Sequence, residues 1–387
     1  MADVYLDWAA TTPLHPEAAD TQRFIGEKLF GNPSSIHKWG MEARELLESC
    51  RERCGRLLGA EDKQVIFTSG GSESNNIVFT SFLHKNSPGH AIVPLFEHAS
   101  VYEPSRMLER FGWEITRIQS GADARIDPER ILSAIQKKTS LIALMVVNNE
   151  TGAIQPVGEL VKEIRSRETE GRPIHIHADG VQAVGKIPVN FQDLGVDSLS
   201  VSSHKFRGPR GAGMLLVRKV LQPLQTGGGQ ENGMRPGTEN LPGIAGMTHA
   251  LELSLQDLKQ NYSHAETLMN ALLQAVTGCR QCRILPEERM HNPQGYSPYI
   301  ATISFPPIPG EVLVRVLSEK GYGVSTGSAC SSRKKRDTRV LEASGISSSL
   351  SFSSIRVSIG SLTTEEEIED FSSSLLQETG ILFQVAK

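Results

Sequence analysis

His177-Ala178-Asp179-Gly180-Val181-Gln182, closing an apolar run, and Ser202-Ser203-His204-Lys205, following a second short strand, decide both the fold and the chemistry to look for. An Asp and a Lys delivered from two strand ends can hold a pyridine ring by its nitrogen and by its aldehyde carbon. The carboxylate keeps the ring nitrogen protonated, so that the ring draws electrons, and the Lys amine forms a Schiff base that captures amino acids. The pairing points to pyridoxal 5'-phosphate.

Around these two stretches, short β-branched runs alternate with helical patterns from Val65 to Val217, the signature of a mainly parallel sheet covered on both faces. Strands are expected at Val65 to Thr68, Ala91 to Pro94, Glu114 to Ile118, Leu141 to Val147, Ile174 to Ala178, Ser198 to Val201 and Gly213 to Val217. Helices are expected at Ser74 to His84, Val101 to Phe111, Pro128 to Lys137 and Val157 to Glu168. Ligands of such sheets gather beyond the strand C-termini, where the motif residues fall. After Gly243 one long amphipathic stretch, Ile244 to Val276, leads out of the sheet region. Strands at Ile300 to Phe305 and Ser354 to Ile359, with helices at Glu311 to Lys320 and Thr364 to Gln377, then make a small α/β layer. Two domains are expected: residues 14–255 as the large one, and 1–13 with 256–387 as the small one. Tyr5 to Ala10 reads as an extended arm packed on the body, and the Ser-rich stretch from Ser344 to Ser354 as a mobile loop.

The 387 residues, 39% hydrophobic and 22% charged, suffice for one large core and a smaller second one. A net charge of -4 with scattered Lys and Arg argues against nucleic acid as a partner. No apolar run approaches the length of a membrane span and the first residues lack a signal-peptide pattern, so the expectation is a cytoplasmic protein. Five cysteines are an odd number for a disulfide framework. Cys50 and Cys54 share a helix face and read as packing, Cys279 and Cys282 as an incidental pair between a helix and a strand, and no metal site is expected. Cys330 differs: Ser325-Thr326-Gly327-Ser328-Ala329-Cys330-Ser331-Ser332 packs no core and looks like an accessible loop thiol.

Further motifs fit the same ring. Thr68-Ser69-Gly70-Gly71-Ser72-Glu73-Ser74-Asn75 follows a strand and opens a helix, leaving backbone N–H groups for a phosphate at Gly71 and Ser72. Alone it would be an ordinary Gly-rich turn. Ser202 and His204 can add donors to the same phosphate. His98, in Glu97-His98-Ala99-Ser100, sits where an imidazole can stack on the ring and pass protons. Gln182 can donate to the phenolic oxygen. Asn149, in Val147-Asn148-Asn149-Glu150-Thr151-Gly152, supplies an amide at the same sheet edge. Arg356 is a cation suited to gripping a carboxylate by two parallel bonds, against the alternative of a solvated strand face. Gly227 to Thr238, with five glycines in twelve residues, is too Gly-rich for helix or strand and must be a shaped loop.

Read in order, these motifs, with Leu6-Asp7-Trp8-Ala9-Ala10-Thr11-Thr12-Pro13 and Gly31-Asn32-Pro33-Ser34-Ser35-Ile36-His37, resemble the cysteine desulfurase family (NifS/IscS-like), in the class V aminotransferase group of fold-type I pyridoxal phosphate enzymes. The resemblance runs nearly end to end. It implies a seven-stranded large domain, an imine at Lys205, Asp179 at the pyridine nitrogen, Gln182 at the phenolic oxygen and His98 on the ring. It further implies Ser72, Ser202 and His204 on the phosphate, Thr238 reaching the other subunit's phosphate in a homodimer, and Arg356 with Asn149 holding the carboxylate of L-cysteine. The Cys330 segment, about 325–352, resembles the long-loop subclass that serves iron-sulfur assembly.

The implied activity is removal of sulfur from L-cysteine to give L-alanine and a persulfide on Cys330, for transfer to an iron-sulfur scaffold or another acceptor such as tRNA thiolation. A selenocysteine lyase or aminotransferase on the same scaffold, and a non-catalytic sulfur-relay protein, are the alternatives. Arg333-Lys334-Lys335-Arg336 either guides an acidic acceptor or is a solvated loop face.

Overall fold

The computed structural model describes residues 3–84, 87–167, 173–327 and 338–385. Seven strands form the main sheet: β2 (Val65–Thr68), β3 (His90–Pro94), β4 (Glu114–Ile118), β5 (Thr139–Met145), β6 (His175–Asp179), β7 (Ser198–Ser202) and β8 (Gly213–Val217). Their order is β2-β8-β7-β6-β5-β3-β4, parallel throughout except for β8, which runs antiparallel to both neighbours. Alternation of side chains sends Leu141 and Ala143 into one apolar layer and Ile142 and Leu144 into the other, so both faces are covered. Because β2, β3, β5, β6 and β7 all point the same way, the segments that follow them emerge at one edge.

A second apolar core lies under the smaller sheet, β9 (Arg283–Leu285), β10 (Ile300–Ser304) and β12 (Ser354–Ser358), antiparallel in the order β12-β10-β9. The helices Leu258–Thr277, Gly310–Glu319 and Glu365–Val385 cover it. The N-terminal arm joins this core. Its strand β1 (Val4–Tyr5) pairs in parallel with β11 (Tyr322–Gly323), Leu6 is fully buried, and the Ala9 N–H donates to Ser358 Oγ at 2.9 Å.

Two expectations are corrected and one helix is added. The stretch from Ile244 to Val276 is two helices, Leu241–Gln256 and Leu258–Thr277, broken at Asp257, whose φ of -96° and ψ of 7° leave the α-helical region. The first belongs to the large core and the second to the small one. Ser344 to Ser354 is a folded turn rather than a mobile loop: Ser347 caps a helix over Ser348–Phe352, and Ser344, Ser351, Ser353 and Ser354 are buried. The helix Pro16–Lys28, with Pro at its start and a capping His15 ring, was not anticipated at all.

The Gly-rich loop is indeed shaped. Glu231 and Asn232 take positive φ values of 49° and 55°, and Glu231 is held there by a buried two-pronged pair with Arg51 at 2.8 and 2.9 Å and by the Phe67 N–H at 2.8 Å. Cys50 and Cys54 are fully buried, with Cys54 Sγ 3.3 Å from Thr248 Oγ1. Among the described residues no helix is long and apolar enough to cross a membrane.

Candidate active site

At the edge where these strands end, a cavity of about 220 Å³ is lined by Gly71, Ser72, His98, Asn149, Asp179, Gln182, Ser202, His204, Lys205 and Arg356, together with Ala9 and Ala10 of the arm. Ten residues singled out in the sequence are thus brought together from five strand ends and from β12. Thr238 is not among them: it is exposed on its loop, with its carbonyl accepting from Arg235 at 3.2 Å. Cys330 and the basic run at 333–336 lie outside the described residues.

Asp179 is the last residue of β6, which leaves its side chain at the sheet edge. Its Oδ1 accepts from the Val181 N–H at 3.0 Å and its Oδ2 from Asn75 Nδ2 at 2.9 Å. Lys205 ends the 3₁₀ turn after β7, and its Nζ donates to the carbonyls of Ala9 and Ala10 at 2.6 and 2.7 Å. Gln182 is oriented by two neighbours, donating to Ala9 O at 2.8 Å and accepting from Lys186 Nζ at 2.9 Å. Burial, then the nearby Lys205 and Arg356 charges, bring the Lys186 amine down to about 7. His204 is brought to about 4 by burial and by Lys205 and Lys186, so its ring is neutral at pH 7; its Nδ1 lies 3.1 Å from Thr11 Oγ1.

His98 begins the helix Ala99–Arg110 and caps it with its own ring, Nδ1 accepting from the Ser100 N–H at 3.1 Å. Burial lowers its pKa, with Lys205, Arg339 and Arg356 acting in the same direction and Asp179 against it. Just before it, Glu97 is wholly buried. Its Oε1 accepts from the Met145 N–H at 2.6 Å, and burial reinforced by Asp179 pushes its carboxyl up to about 8.

Arg356 reaches the cavity from the small sheet. Its Nη2 pairs with Asp7 Oδ1 at 2.7 Å and its Nη1 donates to Asn149 O at 2.9 Å. The loop carrying Asn149 is fixed from below by Asn148, whose Oδ1 accepts from the Glu150 and Thr151 N–H groups. From the other side Arg289 donates to Thr151 O and Ile300 O. Arg356 Nε and Asn149 Oδ1 are buried and, among the described residues, have no hydrogen-bond partner.

These features fit pyridoxal phosphate. Gly70 and Gly71 open the helix Gly71–Ser81, and a Cβ on Gly71 would lie 2.4 Å from Val181 Cγ2, so only glycine leaves that helix start open beside Ser202. A Cβ on Gly213 would lie 2.5 Å from Gly70 Cα, which fixes the same approach from behind. Asp179, accepting two bonds, keeps lone pairs for a ring N–H, and Lys205 lines the same cavity with its Nζ held by the Ala9 and Ala10 carbonyls. Residues the sequence reading left without a role, Asn75, Ser100, His177 and Lys186, prove to hold the lining side chains. Their signals were spacing alone: Ser100 two residues after a capping His98, and Lys186 four residues after Gln182 on one turn.

The family profile described as Aminotransferase class-V matches residues 4–371. Among curated proteins, a cysteine desulfurase IscS of Dictyoglomus turgidum is 40% identical over 95% of this chain and 92% of its own length. The human cysteine desulfurase is 36% identical over 95% of this chain and 79% of its own length. Among solved structures, a NifS-like protein superposes with a TM-score of 0.89 at 31% identity, covering 98% of this chain and all of that one. A NifS-like protein from Rickettsia africae gives 0.85 at 27% identity, over 97% and 99% of the two chains.

Proposed function

The chain belongs to the aminotransferase class-V family, among its cysteine desulfurases, and from that premise we propose how its own residues perform the reaction on L-cysteine with pyridoxal phosphate. The observation that carries the proposal is the meeting of Lys205, Asp179, His98 and Arg356 at a single cavity. When bound, the cofactor supplies an aldehyde carbon that captures the substrate amine and a ring that draws electrons from the α-carbon.

With the cofactor bound, Asp179 would hold a proton at the ring nitrogen, Gly71, Ser72, Ser202 and His204 would hold the phosphate, Gln182 would serve the phenolic oxygen and His98 would pack on the ring. Arg356 and Asn149 take the substrate carboxylate, for which Arg356 Nε offers an unused donor. Lys205, released from its two carbonyls, removes the α-proton. Cys330, as thiolate, then forms a sulfur–sulfur bond with the substrate thiol while the carbon–sulfur bond breaks. The electron pair stays with the carbon, which takes up a proton to become the methyl group, and Lys205 returns the proton to the α-carbon to complete L-alanine.

The stem of the Cys330 segment supports this role. Ser325 exchanges backbone bonds with Arg356 at 3.2 and 2.6 Å, and residue 330 can lie no more than about 11 Å of extended chain from Gly327. An acceptor, an iron-sulfur scaffold or a thiolation partner, would collect the persulfide. A homodimer accords with the exposed apolar side chains Phe24, Phe30, Ile36, Trp39 and Met41 and with the outward-facing Thr238, assigned to the other subunit's phosphate. The two main cores support a division at about residue 256, with the arm in the smaller part and Val340 and Ala343 packed on the larger core, and four free cysteines among the described residues accord with a cytoplasmic setting.

The test gives purified protein L-cysteine and measures alanine and reductant-released sulfide. Wild type is expected to form both in equal amounts. Lys205→Ala should form neither, and Cys330→Ala should keep its yellow cofactor yet release no sulfide. A Cys330→Ala protein that desulfurates at the wild-type rate would overturn the assignment of the thiol.

A further inference from the structure

A chain of hydrogen bonds runs behind the cavity, and its direction is forced at every link. The Asp179 carboxylate can only accept, so the Asn75 amide must turn its NH₂ toward it. Asn75 Nδ2 gives one hydrogen to Asp179 Oδ2 at 2.9 Å and the other to Ser100 Oγ at 2.8 Å. Asn75 Oδ1 then accepts from His177 Nε2 at 2.9 Å, which obliges His177 Nδ1 to accept from Ser198 Oγ at 2.8 Å. Burial, holding His177 neutral down to about pH 3, agrees with one hydrogen on that ring. On the other branch Ser100 Oγ, filled by Asn75, has its own hydrogen left for His98 Nδ1 at 2.8 Å. The Ser100 backbone N–H, which can only donate, reaches the same nitrogen at 3.1 Å. Two donors therefore converge on His98 Nδ1, and the ring hydrogen is left on Nε2.

We propose that Asn75 and Ser100 are positioning residues that lock His98 as the neutral Nε2–H tautomer, a hydrogen-bond donor to the cavity rather than an acceptor of protons. Asn75 is completely buried and spends both hydrogens and its oxygen on this arrangement, so its amide cannot turn without breaking three bonds. A second proton on His98 would have to sit on Nδ1, against the Ser100 N–H, and would uncap the helix Ala99–Arg110. Burial and the Lys205, Arg339 and Arg356 charges weigh against a cationic ring, and the Asp179 carboxylate on the other side does not outweigh them. The proposal refines the active-site reading above, on which its catalytic meaning rests: proton transfer at the substrate carbon falls to Lys205, and His98 contributes contact and one fixed donor.

Long-range ¹⁵N–¹H correlation of histidine-labelled protein without cofactor reads the tautomer directly, with His98→Gln to assign the ring. Because no turnover or bound cofactor is needed, the result stands or falls separately from the desulfurase assay. Between about pH 6 and 8, wild type is expected to show a hydrogen on Nε2 and a bare Nδ1 that do not change with pH. Asn75→Ala, if folded, should show mixed tautomers or a ring that titrates within this range. Ser100→Ala, which removes only the hydroxyl, should move the Nδ1 resonance and leave the hydrogen on Nε2. A wild-type ring that is cationic or protonated at Nδ1 at neutral pH overturns the proposal. So does a folded Asn75→Ala whose His98 matches wild type, or, where that variant does not fold, a Ser100→Ala spectrum identical to wild type.

Discussion

The two walls of the cavity differ in how far their polar atoms are matched. On the wall built by the main sheet, Asp179, Asn75, Ser100 and His98 form one connected hydrogen-bonded set that leaves His98 Nε2 for the cavity. On the wall shared with the small sheet, Arg356 Nε and Asn149 Oδ1 are buried with no hydrogen-bond partner among the described residues. An unmatched buried polar atom costs about 1–3 kcal/mol, so two side by side amount to an unfilled demand for a polar visitor. The difference teaches which wall suits a permanent group, held in a finished cradle, and which suits a substrate that arrives and leaves.

Removing the finished wall's charge should have the largest effect. Asp179→Ala is expected to lower kcat for alanine formation by about 10²–10³-fold, the scale on which a single preorganised electrostatic group acts. Steady-state rates at saturating L-cysteine measure this, and a loss under tenfold would mean that this wall is not the electrostatic half of the site.

Arg356→Lys sharpens the other side of the comparison. The charge is kept, the two-pronged grip is not, and KM for L-cysteine should rise by about 10–100-fold with kcat little changed. An equal fall in kcat would instead place Arg356 in the chemistry.

The smallest effect concerns an unmatched group behind the main-sheet wall. Glu97 Oε2 is buried without a partner among the described residues, and the carboxyl titrates near 8 rather than at 4.5. The folded protein thus keeps a proton that the unfolded chain has already released above pH 4.5, so this group's contribution to stability is whole below that pH and is lost as pH rises to about 8. The slope from one such group is at most about 1.4 kcal/mol per pH unit. Urea unfolding from pH 5 to 8 should show Glu97→Gln with a flatter profile than wild type, and parallel profiles would rule out a neutral Glu97.

Much of the fold was legible because strand signals were strong where both faces are covered: Val65–Thr68 and Gly213–Val217, buried throughout, were read with their observed limits, as was the partly exposed edge strand Glu114–Ile118. The run from Ile244 to Val276 misled because its apolar period continues through Asp257, and only tertiary packing sends its halves to different cores. Among the cavity-lining residues, Asp179, Lys205 and His98 announced themselves as titratable groups at or just after strand ends, and Arg356 as a cation within a strand. Their supports did not. Asn75 reads as an ordinary helix residue, and the Ala9 and Ala10 carbonyls that receive Lys205 Nζ belong to backbone, which no side-chain pattern reports.

The ion pair between Asp7 and Arg356 joins residues near opposite ends of the chain. During synthesis the ribosome releases Asp7 early and Lys205 midway, while Arg356 follows about 150 residues after the lysine, a delay of roughly 10–30 s. The growing polypeptide therefore cannot pair Asp7 with Arg356 until the strand Ser354–Ser358 has been made, and a nascent chain that has not reached it lacks that wall of the cavity.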